Sequence, residues 1–175
     1  MYLRFLKQLT YRDPRRLVLK SPLNTFRIPL LLELFPDARF VHIVRNPYDV
    51  FPSTVHVWKS LYLRQGFQVP DYKGLDEYVF ETYLRMHEQL DRTRDLIAPE
   101  RFYEIGFEKL VDDPLGQIER LYDAVGLGEF ERARPRIEQH LKSIEGYKTN
   151  RYYIDPRLRA EIASRWREQI LKYGY

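Results

Sequence analysis

The stretch from Arg16 to Trp58, RLVLKSPLNTFRIPLLLELFPDARFVHIVRNPYDVFPSTVHVW, decides the fold. Arg16 to Lys20 and Arg39 to Val44 are short apolar runs with β-branched content. Between them Ile28, Leu31, Leu32 and Phe35 recur at helical spacing, so the unit reads as strand, helix, strand. Such units build parallel sheets, in which ligands gather beyond the carboxyl ends of the strands. Those ends are Lys20-Ser21 and Arg45-Asn46, so a cation stands at both tips.

The second tip is the sharper of the two. Arg45 closes a strand, Pro47 suits the first position of a helix, and Ser53 follows about two turns along it at ~3.6 residues per turn. A helix start offers unpaired N–H groups and the positive end of the helix dipole, and arginine adds a planar fork matched to phosphate oxygens. Arg45, the helix start and Ser53 can therefore converge on one anion. The same residues also allow a purely structural arrangement, with Arg45 paired to Asp49 and Ser53 capping or back-bonding within its helix.

Outward from this stretch the pattern stays α/β. Met1 to Thr10 reads as a helix with Leu3, Leu6 and Leu9 on one face, stopped by Asp13-Pro14. Pro47 to Tyr62 reads as a helix, kinked if Pro52 is interior, because proline removes a backbone donor. Gln65 to Gly74 is a loop and the candidate lid of an acceptor site. A long helix follows from Leu75 to Ile97 with Tyr78, Val79, Thr82, Met86, Leu90 and Ile97 as its stripe, and Pro99 ends it. Arg101 to Ile105 is a strand, Asp113 to Val125 a helix capped by Asp113, and Phe130 to Ile144 another. Asp155-Pro156 opens the last helix, with Leu158, Ile162, Trp166 and Ile170 at four-residue steps. The expectation is one α/β domain over residues 1–175, a parallel sheet flanked by helices.

Composition bounds the function. A chain of 175 residues with 44% hydrophobic residues can bury a core of its own. Zero cysteines exclude disulfides, zinc–thiolate sites and thiol nucleophiles. The longest apolar run, near Ile28 to Leu34, is far short of the ~20 residues that span a bilayer, and no signal peptide is visible. A cytoplasmic protein without a membrane partner is expected. The net charge of +4 is interspersed with acids; it favours anionic ligands, while no nucleic-acid module is present. No carboxylate cluster calls for a metal.

LKSPLNT followed by FPDARFVHIVRNPYDVFPST resembles the sulfotransferases that use 3′-phosphoadenosine 5′-phosphosulfate, the bacterial branch in particular. The resemblance implies that Arg45 and Ser53 bind the 3′-phosphate of the cofactor. Phe102-Tyr103-Glu104, Phe107-Glu108-Lys109-Leu110 and Asp113-Pro114 are similar to a later family block, which makes Tyr103 a candidate adenine neighbour. Gly146 to Asn150 is similar to the family's C-terminal segment, where a basic loop closes over the 3′-phosphate; Lys148 and Asn150 match it loosely. The implied fold is the P-loop-like sulfotransferase fold. The implied reaction moves a sulfuryl group from the cofactor to a hydroxyl or amine on a small-molecule, glycan or lipid acceptor.

Two departures stand out. The family's N-terminal phosphosulfate-binding loop, containing S-G-T, is absent, so the resemblance covers the C-terminal part of a complete domain and the N-terminus is expected to be truncated. A sheet edge would then be open, through which a second copy of the chain can associate. A non-catalytic remnant that binds adenosine 3′,5′-bisphosphate, and an interaction domain with a decayed site, both stay open. In the second departure, Asn24 stands where many relatives carry a histidine base. His56, on the helix of Ser53, is a candidate substitute because imidazole titrates near neutral pH, though the flanking Val55 and Val57 favour an ordinary surface or half-buried histidine. Lys20 would stand nearest the transferred group, or be a solvated strand-end charge. His42, His87 and His140 read as structural.

Overall fold

Phe40–Val44 (β1) and Phe102–Gly106 (β2) lie side by side and parallel, with Val44 opposite Gly106. The structure is a computed structural model and describes residues 2–147, 149, 150 and 152–175. Among the described residues these two strands form the whole sheet. Around them are helices α1 (Tyr2–Arg12), α2 (Ile28–Leu34), α3 (Pro47–Gln65), α4 (Leu75–Thr93), α5 (Phe107–Asp112), α6 (Pro114–Ala124), α7 (Phe130–Ser143), α8 (Pro156–Arg165) and α9 (Arg167–Tyr173). None of these helices is long and apolar enough to cross a membrane.

The α/β expectation holds with one strand fewer. Arg16 to Lys20 forms no ladder among the described residues: a strand exists only where a neighbour takes its hydrogen bonds, and neither β1 nor β2 pairs with this segment. The segment is tied down by side chains instead. Arg16 Nη1 donates to the Leu127 carbonyl at 3.1 Å, and Asn24 Nδ2 to that of Leu19 at 3.0 Å. Ser21 caps a short 3-10 turn, Pro22–Arg27, by accepting from the Leu23 N–H.

The two faces of the sheet differ. Phe40 and Phe102 pack on the cluster of Ile28, Leu90 and Ile97. On the opposite face Ile105 is buried, but Val41 and Ile43 of β1 remain exposed. The larger core lies between α3, α4 and the last two helices, where Phe51, Leu75, Val79, Phe80, Tyr83, Ile162, Trp166 and Ile170 meet. Trp166 has no exposed surface; its ring stacks on Tyr83 at 3.8 Å, and its Nε1–H donates to the Phe80 carbonyl at 3.2 Å.

Trp166 also marks a boundary the sequence periodicity hides. The expected single last helix is two, α8 and α9, broken at Trp166 itself, although Ile162, Trp166 and Ile170 are all buried. In α4 the stripe is turned from the expected one. Tyr83 and His87 are buried, Tyr78 is exposed, and Thr82 and Met86 are only half-buried. The helix turns its aromatic residues toward Trp166, where they gain more burial. Pro52 does lie inside α3, leaving the Tyr48 carbonyl without its i+4 donor.

His87 is 3% exposed and packed among Tyr83, His42 and Tyr173. Burial, together with the positive charge of His42 and Lys172, lowers its pKa to about 4, with Asp91 and Glu104 opposing. Next to it His42 Nδ1 lies 2.8 Å from Glu104 Oε2, and that contact holds the Glu104 carboxyl below its usual range.

Two stability outcomes follow from this packing. Trp166→Ala should cost about 3–5 kcal/mol, read as a lowered denaturant midpoint, because a large aromatic void opens in the core. For His87, the unfolded chain binds the extra proton between pH ~6.5 and about 4 and the folded one does not, so stability falls as pH is lowered through that window. The loss should reach about 3 kcal/mol, and His87→Phe should flatten the slope in urea titrations at pH 4.5, 5.5 and 6.5. An unchanged slope would place the proton uptake elsewhere.

Candidate functional site

β1 ends at Val44 and the chain enters α3 through Arg45, Asn46 and Pro47. Asn46 caps the helix, its Oδ1 accepting from the Tyr48 N–H at 3.0 Å, and Pro47 occupies the first turn without a donor to waste. The Asp49 and Val50 N–H groups both reach the Asn46 carbonyl, and the Asn46 N–H donates to Glu108 Oε1 at 2.9 Å. Every backbone donor of this turn, from Asn46 to Val50, is thus spent inside the protein. The expectation that free N–H groups at the helix start would meet an anion is corrected by these contacts; the guanidinium is what remains.

Arg45 is half-buried, and its Nε is fully buried with no hydrogen-bond partner. Among the described residues it forms no ion pair, so the Arg45–Asp49 pairing is not made. Its guanidinium lies 4.7 Å from the Phe107 ring centroid, a cation–π contact that orients it. Arg45 borders a cleft of ≈ 600 Å³ whose other walls are Asp49 of α3, Phe107, Glu108, Val111 and Asp112 of α5, and Thr149, Asn150 and Tyr152.

Glu108 joins the two strand exits. One carboxylate oxygen takes the Asn46 N–H and the other takes the Tyr175 hydroxyl at 2.6 Å. Burial raises the cost of its charge, but these donors and the nearby Arg45 outweigh that and hold its pKa below the usual glutamate range. Burial and the same carboxylate push the Tyr175 phenol well above its ordinary value.

Asn150 lines the cleft with Arg45, its amide donating to the Tyr152 hydroxyl at 3.4 Å. Lys148 lies outside the described residues. Ser53 is half-buried on α3, makes no side-chain hydrogen bond among the described residues, and is not part of the cleft wall. His56 is exposed one turn further on, its ring 5.9 Å from that of Tyr152. Tyr103 is half-buried on β2, away from the cleft wall, and Lys20 is exposed at the end of the unpaired segment. Asn24 spends its amide on the Leu19 carbonyl.

Four contributors were not foreseen: Phe107, Glu108, Tyr152 and Tyr175. The first two lie on α5, a helix of 6 residues that is too short for periodicity to mark. Tyr175 had one signal, the glycine before it that ends a helix. A second cleft of ≈ 400 Å³ lies between the loop before α4 and the end of α3, lined by Tyr62, Pro70 to Leu75 and Tyr78. Trp58 lies beside it, tilted against Tyr62 and edge-to-face with Tyr78. The candidate lid loop therefore borders an aromatic groove.

Comparison with known proteins gives this geometry a family. Two curated relatives, the omega-hydroxy-beta-dihydromenaquinone-9 sulfotransferases Stf3 of Mycobacterium bovis and Mycobacterium tuberculosis, are each 46% identical over 172 residues, which is 98% of this chain and 44% of theirs. The crystal structure of sulfotransferase STF9 from Mycobacterium avium matches with a TM-score of 0.73 at 22% identity, over 97% of this chain and 44% of that one, so the fold is shared. The chain thus spans less than half the length of the relatives it matches. The model of the Sulfotransferase family matches residues 2–132, and with that span, which includes both strands and the turn that carries Arg45, the chain belongs to the sulfotransferase family.

Proposed function

We propose that the Arg45 cleft holds the 3′-phosphate end of 3′-phosphoadenosine 5′-phosphosulfate in a protein that moves the sulfuryl group to an acceptor hydroxyl or amine and releases adenosine 3′,5′-bisphosphate. Arg45 carries the reading. A buried donor without a partner costs ~1–3 kcal/mol, and a phosphate oxygen at that position removes the penalty with a charge-assisted bond. The rings of Phe107 and Tyr152 offer flat walls to a nucleotide base; Tyr103, off this wall, is assigned to the adenine by the family resemblance alone. Asn150 shares the cleft wall with Arg45, while Ser53, off that wall, and Lys148 are assigned to the phosphate by the family resemblance alone.

When bound, the cofactor supplies the sulfuryl group. The chain's residues bind and orient it, and a loose in-line displacement asks for positioning and charge more than covalent chemistry. Lys20 is assigned to the developing charge. Asn24 cannot take a proton and is committed to Leu19, so His56, exposed on α3, is the candidate base. The mycobacterial relatives are named for a hydroxylated dihydromenaquinone. A hydroxyl on a lipid-like body is accordingly the proposed acceptor class, its apolar part lying along the aromatic groove of Tyr62, Tyr72 and Tyr78.

Calorimetry with adenosine 3′,5′-bisphosphate tests the reading. Arg45→Ala should weaken binding roughly ten- to a hundredfold, the cost of removing a charge-assisted partner, while Lys7→Ala on α1 should leave the isotherm unchanged. Superimposable isotherms for wild type and Arg45→Ala would overturn it. In labelled-sulfate transfer, Lys20→Ala should slow turnover roughly a hundredfold with little change in bisphosphate affinity.

A further inference from the structure

The Glu108 carboxylate borders the same cleft as Arg45, yet the two do not pair. Left to itself, a carboxylate near an unpaired guanidinium would close onto it, since the charge-assisted pair is among the stronger polar contacts a protein makes. What prevents this is visible in the contacts of its two oxygens. One is held by the Asn46 N–H and the other by the Tyr175 hydroxyl. Tyr175 in turn is placed by the end of α9. Gly174 takes φ +75, a conformation that favours glycine, and the chain folds back so that the Tyr175 N–H reaches the Ile170 carbonyl at 3.0 Å. The ring packs on the core cluster that contains Ile170 and Trp166.

We infer that Tyr175 is a positioning residue that holds Glu108 off Arg45 and so keeps the guanidinium available to the cofactor phosphate. The inference rests on the proposed reading of Arg45 as the phosphate partner. It extends that reading to a residue 130 positions away in sequence. Without the hydroxyl, Oε2 loses its donor and the carboxylate is free to rotate onto Arg45, where it competes directly with the incoming anion. The site would then contain its own inhibitor.

The prediction has a sign that simple stapling of α9 to α5 does not share. Tyr175→Phe keeps the ring and should weaken adenosine 3′,5′-bisphosphate binding roughly three- to tenfold. Adding Glu108→Gln to that variant removes the competing charge and should bring affinity back to within about twofold of wild type. A loss that persists or deepens in the double variant overturns the inference, as does a Tyr175→Phe isotherm equal to wild type.

A ligand-free measurement keeps the inference separate from the reading it extends. The Arg45 Hε resonance in 15N-labelled protein should move downfield in Tyr175→Phe as Glu108 pairs with it, and return in the double variant. If wild type and Arg45→Ala bind the bisphosphate equally, the phosphate reading fails and the Hε shift alone decides whether Tyr175 restrains Glu108. If Arg45→Ala abolishes binding but neither the isotherm nor the Hε resonance responds to Tyr175→Phe, the inference fails and the reading stands.

Discussion

The register that sets Val44 opposite Gly106 is the constraint on which the site depends. Because the strands are parallel, both carboxyl ends finish at one level, and each chain leaves directly into a helix, α3 from β1 and α5 from β2. The first turn of α5 therefore faces the cap of α3. Glu108 uses that proximity to take the Asn46 N–H, and Phe107, beside it, supplies the ring under the Arg45 guanidinium. A shift of one residue in the register would turn Val41 and Ile43 to the α4 side and His42 to the other, and would separate Glu108 from Asn46. Sheet pairing and site geometry are one arrangement.

The packing behind this arrangement is aromatic and largely remote from the cleft. Trp166 ends α8, fills the space against Phe51, Phe80 and Tyr83, and sets the direction in which α9 leaves. Arg165, next to it, lies over the Phe80 ring and pairs with Glu77 at 2.5 and 2.6 Å, fastening α8 to α4. That surface pair contributes modestly, since exposed ion pairs are worth ~0–1 kcal/mol. The buried ring contributes far more. Together they fix where α9 ends, and hence where the Tyr175 hydroxyl lies.

Local signals in the sequence were enough for much of this. The strand at Phe40, the proline-started α3, the Asp113 and Asp155 caps and the loop before α4 follow from periodicity and capping chemistry within a few residues. Arg45 was legible because a cation closing a strand before a proline has few structural duties. What failed to show depended on partners distant in sequence. Leu17 to Lys20 has strand composition but no neighbour to pair with. His87 was read as structural from a charged helical stretch, yet its burial comes from Tyr173 and His42. The consumption of every donor at the start of α3 required knowing that Glu108, 62 residues on, would arrive there. Tyr175 was invisible for the same reason, its role residing in a contact across 67 residues.

The charge pattern of the cleft argues for a nucleotide rather than a simple anion. Asp49, Glu108 and Asp112 share its wall with Arg45, so a small anion meets one described guanidinium and three carboxylates. Two unit charges 4 Å apart exchange about 4 kcal/mol at an effective dielectric of 20, so carboxylates on the same wall offset part of one cation's attraction. Bare phosphate therefore gains little here. A ligand with a flat ring system gains in addition by covering Phe107 and Tyr152, at about 25 cal/mol for each Å² of apolar surface removed from water. Selectivity then comes from the requirement that both contributions be made at once. Under the proposed reading one charge reaches the buried Arg45 Nε while a base lies against the rings, and a phosphate carried on a nucleoside makes both contacts together.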